Sequence, residues 1–364
     1  MKNKKFVLVL VSSLILGASC FAFFSCKKSD KIKVGVIAPL TGKGAYYGQI
    51  LKTNFDLAFA SDSLYVLQYE DSKFEKNASV SAINKLITVD KVPVILGEVT
   101  SDNTLTIAPI AEKNKTVLFA TIASADKLNK IGEYFFRNVP SNNIQGVTAA
   151  NFIYTKLGIN SVAVFGQNSE YGVNITTSFK NEYIKLGGKV VFDDSFLEGE
   201  VNYKTQLQKV RQSGAKALYI PGNENEPAMI LKQAKEIGLS IPIIGGDGSS
   251  TDNLITMAGA GAESFYITNI VIDKSSDFYK NYRNLFYEKF GKEPSAYDAY
   301  AYEGAKIILV ALKGAGNKAE DVKNYLHSNS FPSMTGDLTF DKQGQVKRQW
   351  GIYQVINGKF VELD

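Results

Sequence analysis

Cysteine is almost missing from this sequence. Its 364 residues hold two, Cys20 and Cys26, both close to the N-terminus. Past Cys26 there is no thiol, so disulfides, CxxC redox chemistry and thiolate metal sites are excluded from the body of the chain. Histidine is scarcer still: His327 stands alone, in "NYLHSNS". That string reads as the polar end of a helix, where the dipole favours a surface imidazole without any ligand role. General acid–base chemistry would have to come from carboxylates or lysines, and no metal-binding cluster is present. Charge of one sign is lacking as well. Lysine and arginine total 41 against 36 acids, a net charge of +5. The basic residues are scattered over helical patterns rather than gathered on one face, which excludes a nucleic-acid partner.

There is one long apolar run, Phe6 to Phe24, and Lys2, Lys4 and Lys5 precede it. These are the n-region and h-region of a secretory signal. The run ends in "FFSC" and turns polar at once in "KKSD". This junction resembles a bacterial lipobox, in which cleavage before Cys26 is followed by acylation of its sulfur and its new amine. Ser25 is a suitable small residue, while Phe23 stands where leucine is usual. Cleavage at Cys20 would leave "FAFF" bare in water. The competing reading is an uncleaved anchor, since the run is nearly long enough to span a bilayer. Residues 1–25 are therefore read as a lipoprotein signal peptide and 26–31 as a lipidated linker. Removing three lysines without acidic partners brings the charge of the exported chain down to +2.

Beyond the linker, short β-branched and aromatic runs alternate with longer amphipathic ones. Strand candidates are 32–38, 64–69, 93–97, 117–121 and 134–137, then 162–166, 189–193, 217–220, 241–245 and 265–269. Helix patterns lie between them: Ile230, Leu231, Ala234 and Ile237 form a stripe that Gly238 ends, and Ile175, Phe179, Tyr183 and Leu186 do the same before Gly187. Strands alternating with helices predict an α/β fold with mostly parallel sheets covered on both faces. The unit runs about five times, pauses at "PSNNIQG" (140–146), and runs again, which predicts two similar doubly wound lobes. A long helix pattern at 295–313 follows, then a shorter one, then a stretch with hairpin turns at Asp341–Gly344 and Asn357–Gly358.

The first strand runs into "VGVIAPLTGKGAYYGQ", with Gly42, Gly44 and Gly48 in a G-x-G-x-x-x-G order and Glu70 and Asp71 downstream. This approaches a dinucleotide-binding fingerprint. The spacing argues against it. A pyrophosphate turn needs its first glycine directly after the strand, and here Pro39-Leu40-Thr41 intervene. Tyr46 and Tyr47 also occupy the place where backbone would approach phosphate. An NAD(P) enzyme is accordingly disfavoured. The tyrosines instead suit the rim of a cleft at the C-terminal edge of a parallel sheet, where open α/β folds bind ligands.

"KVGVIAPLTGKGAYYGQ" resembles the start of type I periplasmic solute-binding proteins of the leucine/isoleucine/valine-binding class. The resemblance continues in order through "VILGEVTSDNTLTIAPIAEK", "FRNVPSNNIQG", "VAVFGQNSEYG", "ALYIPGNENEPAMILKQAKEIGL", "IIGGDGSS" and "PSAYDAYAYEGAKIIL", and closes with "FDKQGQVKRQWGIYQVINGKFV". It spans essentially the whole exported chain. It implies two Rossmann-like lobes joined by a three-strand hinge: residues 32–141 with 271–345, and 142–270 with 346–364. The crossovers would lie near Ser141–Asn143, Asn269–Val271 and Lys342–Val346.

By this resemblance Ser101, Ser124 and the Ile122 backbone hold a ligand carboxylate, and Asp247 receives an α-ammonium. Tyr47 and Tyr171 line the cleft from opposite lobes, Asn223 is a further pocket position, and Tyr297 is a lesser candidate. A hydroxyl beside helix N-terminal amides is a sound anion site without any cation. Asn223 stands where some branched-chain binders carry an aromatic, which makes the side-chain pocket more polar than a leucine site. Thr100 stands where some members have a disulfide cysteine, and the loop at 58–66 lacks the usual glycine-rich hairpin. The implied function is an exported, lipid-anchored, monomeric amino-acid-binding protein that delivers its ligand to an ABC permease in the membrane, with no catalysis, cofactor or metal. Three alternatives remain: a sensor for a chemoreceptor or kinase, a binder of amide or urea solutes, and the disfavoured NAD(P) enzyme.

Overall fold

The computed structural model describes residues 31–363. The first strand, β1 (Ile32–Ala38), is buried along most of its length, as a strand covered on both faces must be. Four more join it: β2 (Tyr65–Asp71), β3 (Val94–Leu96), β4 (Val117–Ala120) and β5 (Phe135–Arg137). They form one sheet in the order β2-β1-β3-β4-β5, parallel throughout. Three crossover helices separate the first four strands: α1 (Ala45–Phe59), α2 (Lys76–Thr88) and α3 (Ser101–Lys113).

A second sheet follows. It contains β6 (Ser161–Gln167), β7 (Lys189–Phe196), β8 (Ala217–Tyr219), β9 (Ile243–Gly245) and β10 (Tyr266–Ile270), and later β13 (Trp350–Ile356) and β14 (Lys359–Leu363). Its order is β14-β13-β10-β9-β8-β6-β7. The first five are parallel, and β13 and β14 close one edge as an antiparallel hairpin. Its helices are α4 (Asn142–Asn151), α5 (Glu170–Lys185), α6 (Lys204–Gln212), α7 (Asn225–Glu236) and α8 (Asp252–Ala258).

Between β10 and β13 the chain returns to the first sheet with α9 (Asp277–Phe290), α10 (Ala296–Ala315), α11 (Ala319–Ser328) and a small hairpin, β11 (Phe331–Ser333) with β12 (Gly336–Leu338). Apolar faces of α10, including Ile308 and Leu312, share one core with Val34, Leu96, Phe119 and Phe136. The opposite face of that sheet packs Ile83 and Leu86 of α2 and Ile107 of α3 against Ile37, Ile95 and Leu118. The second sheet is sandwiched in the same way. The chain thus passes between the sheets three times, after β5, β10 and β12.

Two details differ from the sequence reading. Asp341–Gly344 is a lone turn rather than a hairpin between strands: the Gly344 carbonyl accepts the Arg137 N–H at 3.1 Å, so it docks on β5. His327 is not a surface residue favoured only by the helix end. It is half-buried, its ring 4.7 Å from that of Phe136. Both partners are remote in sequence, so neither contact shows in local pattern.

Candidate functional site

The C-terminal ends of both sheets open onto one cavity of about 290 Å³. Tyr47, Ser101, Ile122, Ser124, Tyr171, Asn223 and Asp247, every ligand-binding position named from sequence, line it, and Tyr297 joins them. Cys26 lies outside the described residues. Among the described residues no group of acids, histidine or cysteine could hold a metal. No described helix is long and apolar enough to cross a membrane.

The glycines after β1 act sterically. Gly42 takes a φ of +81° in the turn. A Cβ at Gly44 would lie 2.1 Å from the Phe74 ring, and one at Gly48 would lie 2.0 Å from the Pro39 carbonyl oxygen. Asp71, which stood where a ribose acid would be, ties this loop instead: its carboxylate accepts the Leu40 and Lys73 N–H groups at 2.9 Å and the Thr41 hydroxyl at 2.5 Å. Glu70 pairs with Lys85. The outcome is a tight entry into α1 that sets Tyr47 on the cavity, parallel to the Phe74 ring at 6.3 Å.

The second lobe repeats the device. A Cβ at Gly172 would stand 2.0 Å from the Gln167 carbonyl oxygen. This close approach of α5 to β6 brings in Tyr171.

One wall of the cavity is built from α3 and the loop after β4. Thr100 is the helix cap, its hydroxyl accepting the Asn103 N–H at 3.2 Å. Ser101 is thereby relieved of capping. Its Oγ accepts the Ala125 N–H at 3.1 Å, which leaves the hydroxyl proton to donate into the cavity. First-turn N–H groups of α3 add the partial positive charge of a helix start.

Sequence reasoning missed what positions Ser124. Arg137, fully buried, donates to the carbonyls of Ala123 at 3.3 Å and Ala125 at 3.1 Å, and to Asn129 and Gln345. It pins the loop from both sides of Ser124.

The opposite wall carries Asp247. It opens a short 3₁₀ turn after β9 and is 4% exposed. Its Oδ1 accepts from Gln145 Nε2 and from the Tyr171 hydroxyl, both at 2.8 Å. Burial pushes its carboxyl above the usual range, and these hydrogen bonds pull in the other direction. No lysine or arginine pairs with it among the described residues. Burial also keeps the phenols of Tyr47, Tyr171 and Tyr297 protonated well beyond their ordinary range. Each is therefore a fixed neutral donor. A dry carboxylate thus faces a wall of anion donors across a space of small-solute size.

Contacts cross between the lobes around this space. The Tyr47 hydroxyl donates to the Gly248 carbonyl at 2.9 Å and accepts the Glu224 N–H at 3.2 Å. The Tyr297 hydroxyl donates to the Asp247 carbonyl at 2.7 Å. Asp102 accepts the Glu170 N–H at 3.0 Å, and Asn174 accepts that of Asp126 at 2.9 Å. The lobes are clasped.

Comparison with known proteins agrees with this architecture. A family model described as "Periplasmic binding protein" matches residues 31–359. A leucine-, isoleucine-, valine-, threonine- and alanine-binding protein of Pseudomonas aeruginosa is 26% identical, covering 90% of each chain. A Leu/Ile/Val-binding protein of Escherichia coli is 25% identical, covering 94% of this chain and 95% of its own. Among solved structures, a leucine-binding protein from Thermotoga maritima superposes with a TM-score of 0.87 at 28% identity, covering 92% of this chain and 98% of its own. The substrate-binding protein of a branched-chain amino acid transporter from Streptococcus pneumoniae, in complex with isoleucine, gives 0.84 at 26% identity, with 92% and 100% covered.

Proposed function

The chain belongs to the periplasmic binding protein family, and from that premise we propose that it captures a free α-amino acid between its lobes and delivers it to an ABC importer. Membership makes it an exported binding protein and not an enzyme. One observation carries the ligand class: a buried carboxylate, Asp247, stands across a small cavity from the Ser101 and Ser124 wall. An α-amino acid offers the complementary pair, with its carboxylate toward the serines and the start of α3 and its ammonium toward Asp247.

Capture would work by hinge closure, with residues 32–141 and 271–345 moving against 142–270 and 346–364. The ligand needs no covalent change; the clasped rim keeps it from water until release. We take the protein to act as a monomer tethered by acyl chains on Cys26. In that case wild-type protein takes up labelled fatty acid, whereas Cys26→Ala stays unlabelled and keeps its uncleaved signal segment; labelled Cys26→Ala protein would refute Cys26 as the tether.

A thermal-shift panel of amino acids, urea, short amides and NAD tests the ligand class. A solute at one hundred times its dissociation constant stabilises by about 2.7 kcal/mol. Melting should rise with one or more amino acids. A rise with NAD, urea or amides alone would discard the reading.

A further inference from the structure

The strand order fixes which end of the cavity receives the side chain of the ligand. In the second sheet β9, β8 and β6 are successive neighbours, so Asp247, Asn223 and Gln167 follow one another along one wall. In the first sheet the order β2-β1-β3-β4 sets Phe74 and Tyr47 at one end and Ser101 and Ser124 at the other. An amino acid with its carboxylate on the serines and its ammonium on Asp247 therefore directs its side chain toward Phe74, Asn223 and Gln167. This step rests on the amino-acid reading above.

That end has two unlike surfaces. The parallel rings of Tyr47 and Phe74 offer an apolar face suited to methylene groups. Facing it are carboxamides. Gln167 is 2% exposed, and its Oε1 accepts the Asn223 N–H at 3.0 Å, which leaves Nε2 for the cavity. A buried amide donor without an acceptor is costly, and closing the cleft on a leucine side chain would leave it so.

Charge does not fit better. The acids bordering this end are already engaged, Asp102 with Lys76 at 3.2 Å and Glu198 with Lys43 at 3.3 Å. A ligand carboxylate there would meet two acids and no unpaired cation, and a ligand ammonium would have to displace an existing pair.

We infer that the solute is an uncharged amino acid whose side chain carries a hydrogen-bonding end on a short apolar stem, with the carboxamides glutamine and asparagine as the best match. Glutamine lays its methylenes on the tyrosine and phenylalanine rings and offers its carbonyl oxygen to the amide donors.

Calorimetry on the mature protein with glutamine, asparagine, leucine, isoleucine, valine and glutamate tests this. Glutamine or asparagine should bind roughly tenfold or more tightly than the three aliphatic residues and glutamate. Asn223→Leu, at a half-exposed position, should shrink that gap while melting as a folded protein. If leucine, isoleucine or valine binds as tightly as glutamine or tighter, the inference is overturned and the amino-acid reading stands. Tightest binding of glutamate overturns it as well. If no amino acid binds, the amino-acid reading fails first and this one falls with it.

Discussion

Asp247 is a buried acid whose ionised form a ligand cation would stabilise. Its carboxylate is buried, takes two hydrogen bonds on one oxygen, and has no cationic partner among the described residues. Burial raises its folded pKa above the value in the unfolded chain. The native state therefore binds more protons than the unfolded one as pH rises through the ordinary carboxylate range. Its contribution to stability is intact below the unfolded pKa and is lost as pH rises through the raised folded pKa. Asp247→Asn removes that loss while keeping an acceptor for Gln145 and Tyr171. Without ligand the variant should melt higher, by about 2–4 °C for each kcal/mol recovered. It should also bind amino acids about thirty-fold to several-thousand-fold more weakly, since truncating one side of a buried charge pair costs about 2–5 kcal/mol. For the wild type an ammonium selects the ionised form, so affinity should fall with acid from a pH above the usual carboxylate range. Scanning calorimetry with and without ligand, and titrations from neutral pH downward, read both effects. Unchanged affinity in Asp247→Asn would mean a ligand without an ammonium.

At the level of elements, both sides of the cleft rely on a helix pressed onto a strand end through glycine. Gly48 and Gly172 each leave a would-be Cβ 2.0 Å from a backbone carbonyl oxygen, and each directly follows a cavity tyrosine. Gly172→Ala must shift α5 or the end of β6, because the obstacle is main chain and not a flexible side chain. Overpacking of this kind costs about 1–3 kcal/mol. The variant should melt lower and bind ligand more weakly because Tyr171 moves with its helix; an unaltered melting temperature with native affinity would contradict the packing argument. These glycines also show how far the sequence could be read. The alternation of strands and helices was visible because burial on both sheet faces imposes unbroken apolar runs such as Val34–Ala38. The cavity positions were reachable because family order carried Ser101 and Asp247 to strand ends that line the cavity. What supports them was not. Arg137 reaches Gln345 across 208 positions, and Gln145 reaches Asp247 across 102. Such pairs leave no periodicity, and a single sequence holds no trace of them.

The whole molecule is two sandwiched sheets held by three crossings and, on the cleft side, by a few hydrogen bonds. Two of these are donated by phenols of the first lobe, Tyr47 to Gly248 and Tyr297 to Asp247, both to backbone carbonyls of the turn that carries Asp247. In the proposed capture, closing the lobes and seating the Asp247 turn are thus one event. The double variant Tyr47→Phe with Tyr297→Phe keeps the rings that line the cavity and removes their three hydrogen bonds to the second lobe. A neutral hydrogen bond contributes about 0.5–1.5 kcal/mol net, so losing all three costs about 1.5–4.5 kcal/mol, or roughly ten- to two-thousand-fold in affinity. The change should fall on dissociation, because the clasp forms after encounter and mutants of one interface differ mainly in off-rate. Stopped-flow fluorescence through Trp350 separates the two rates, and small-angle scattering follows the lobes directly. Wild-type protein should compact when ligand is added, and the double variant should need more ligand to reach the same compact form. If scattering is identical with and without ligand, closure is not how this protein holds its solute, and the clasp is a fixed part of the fold.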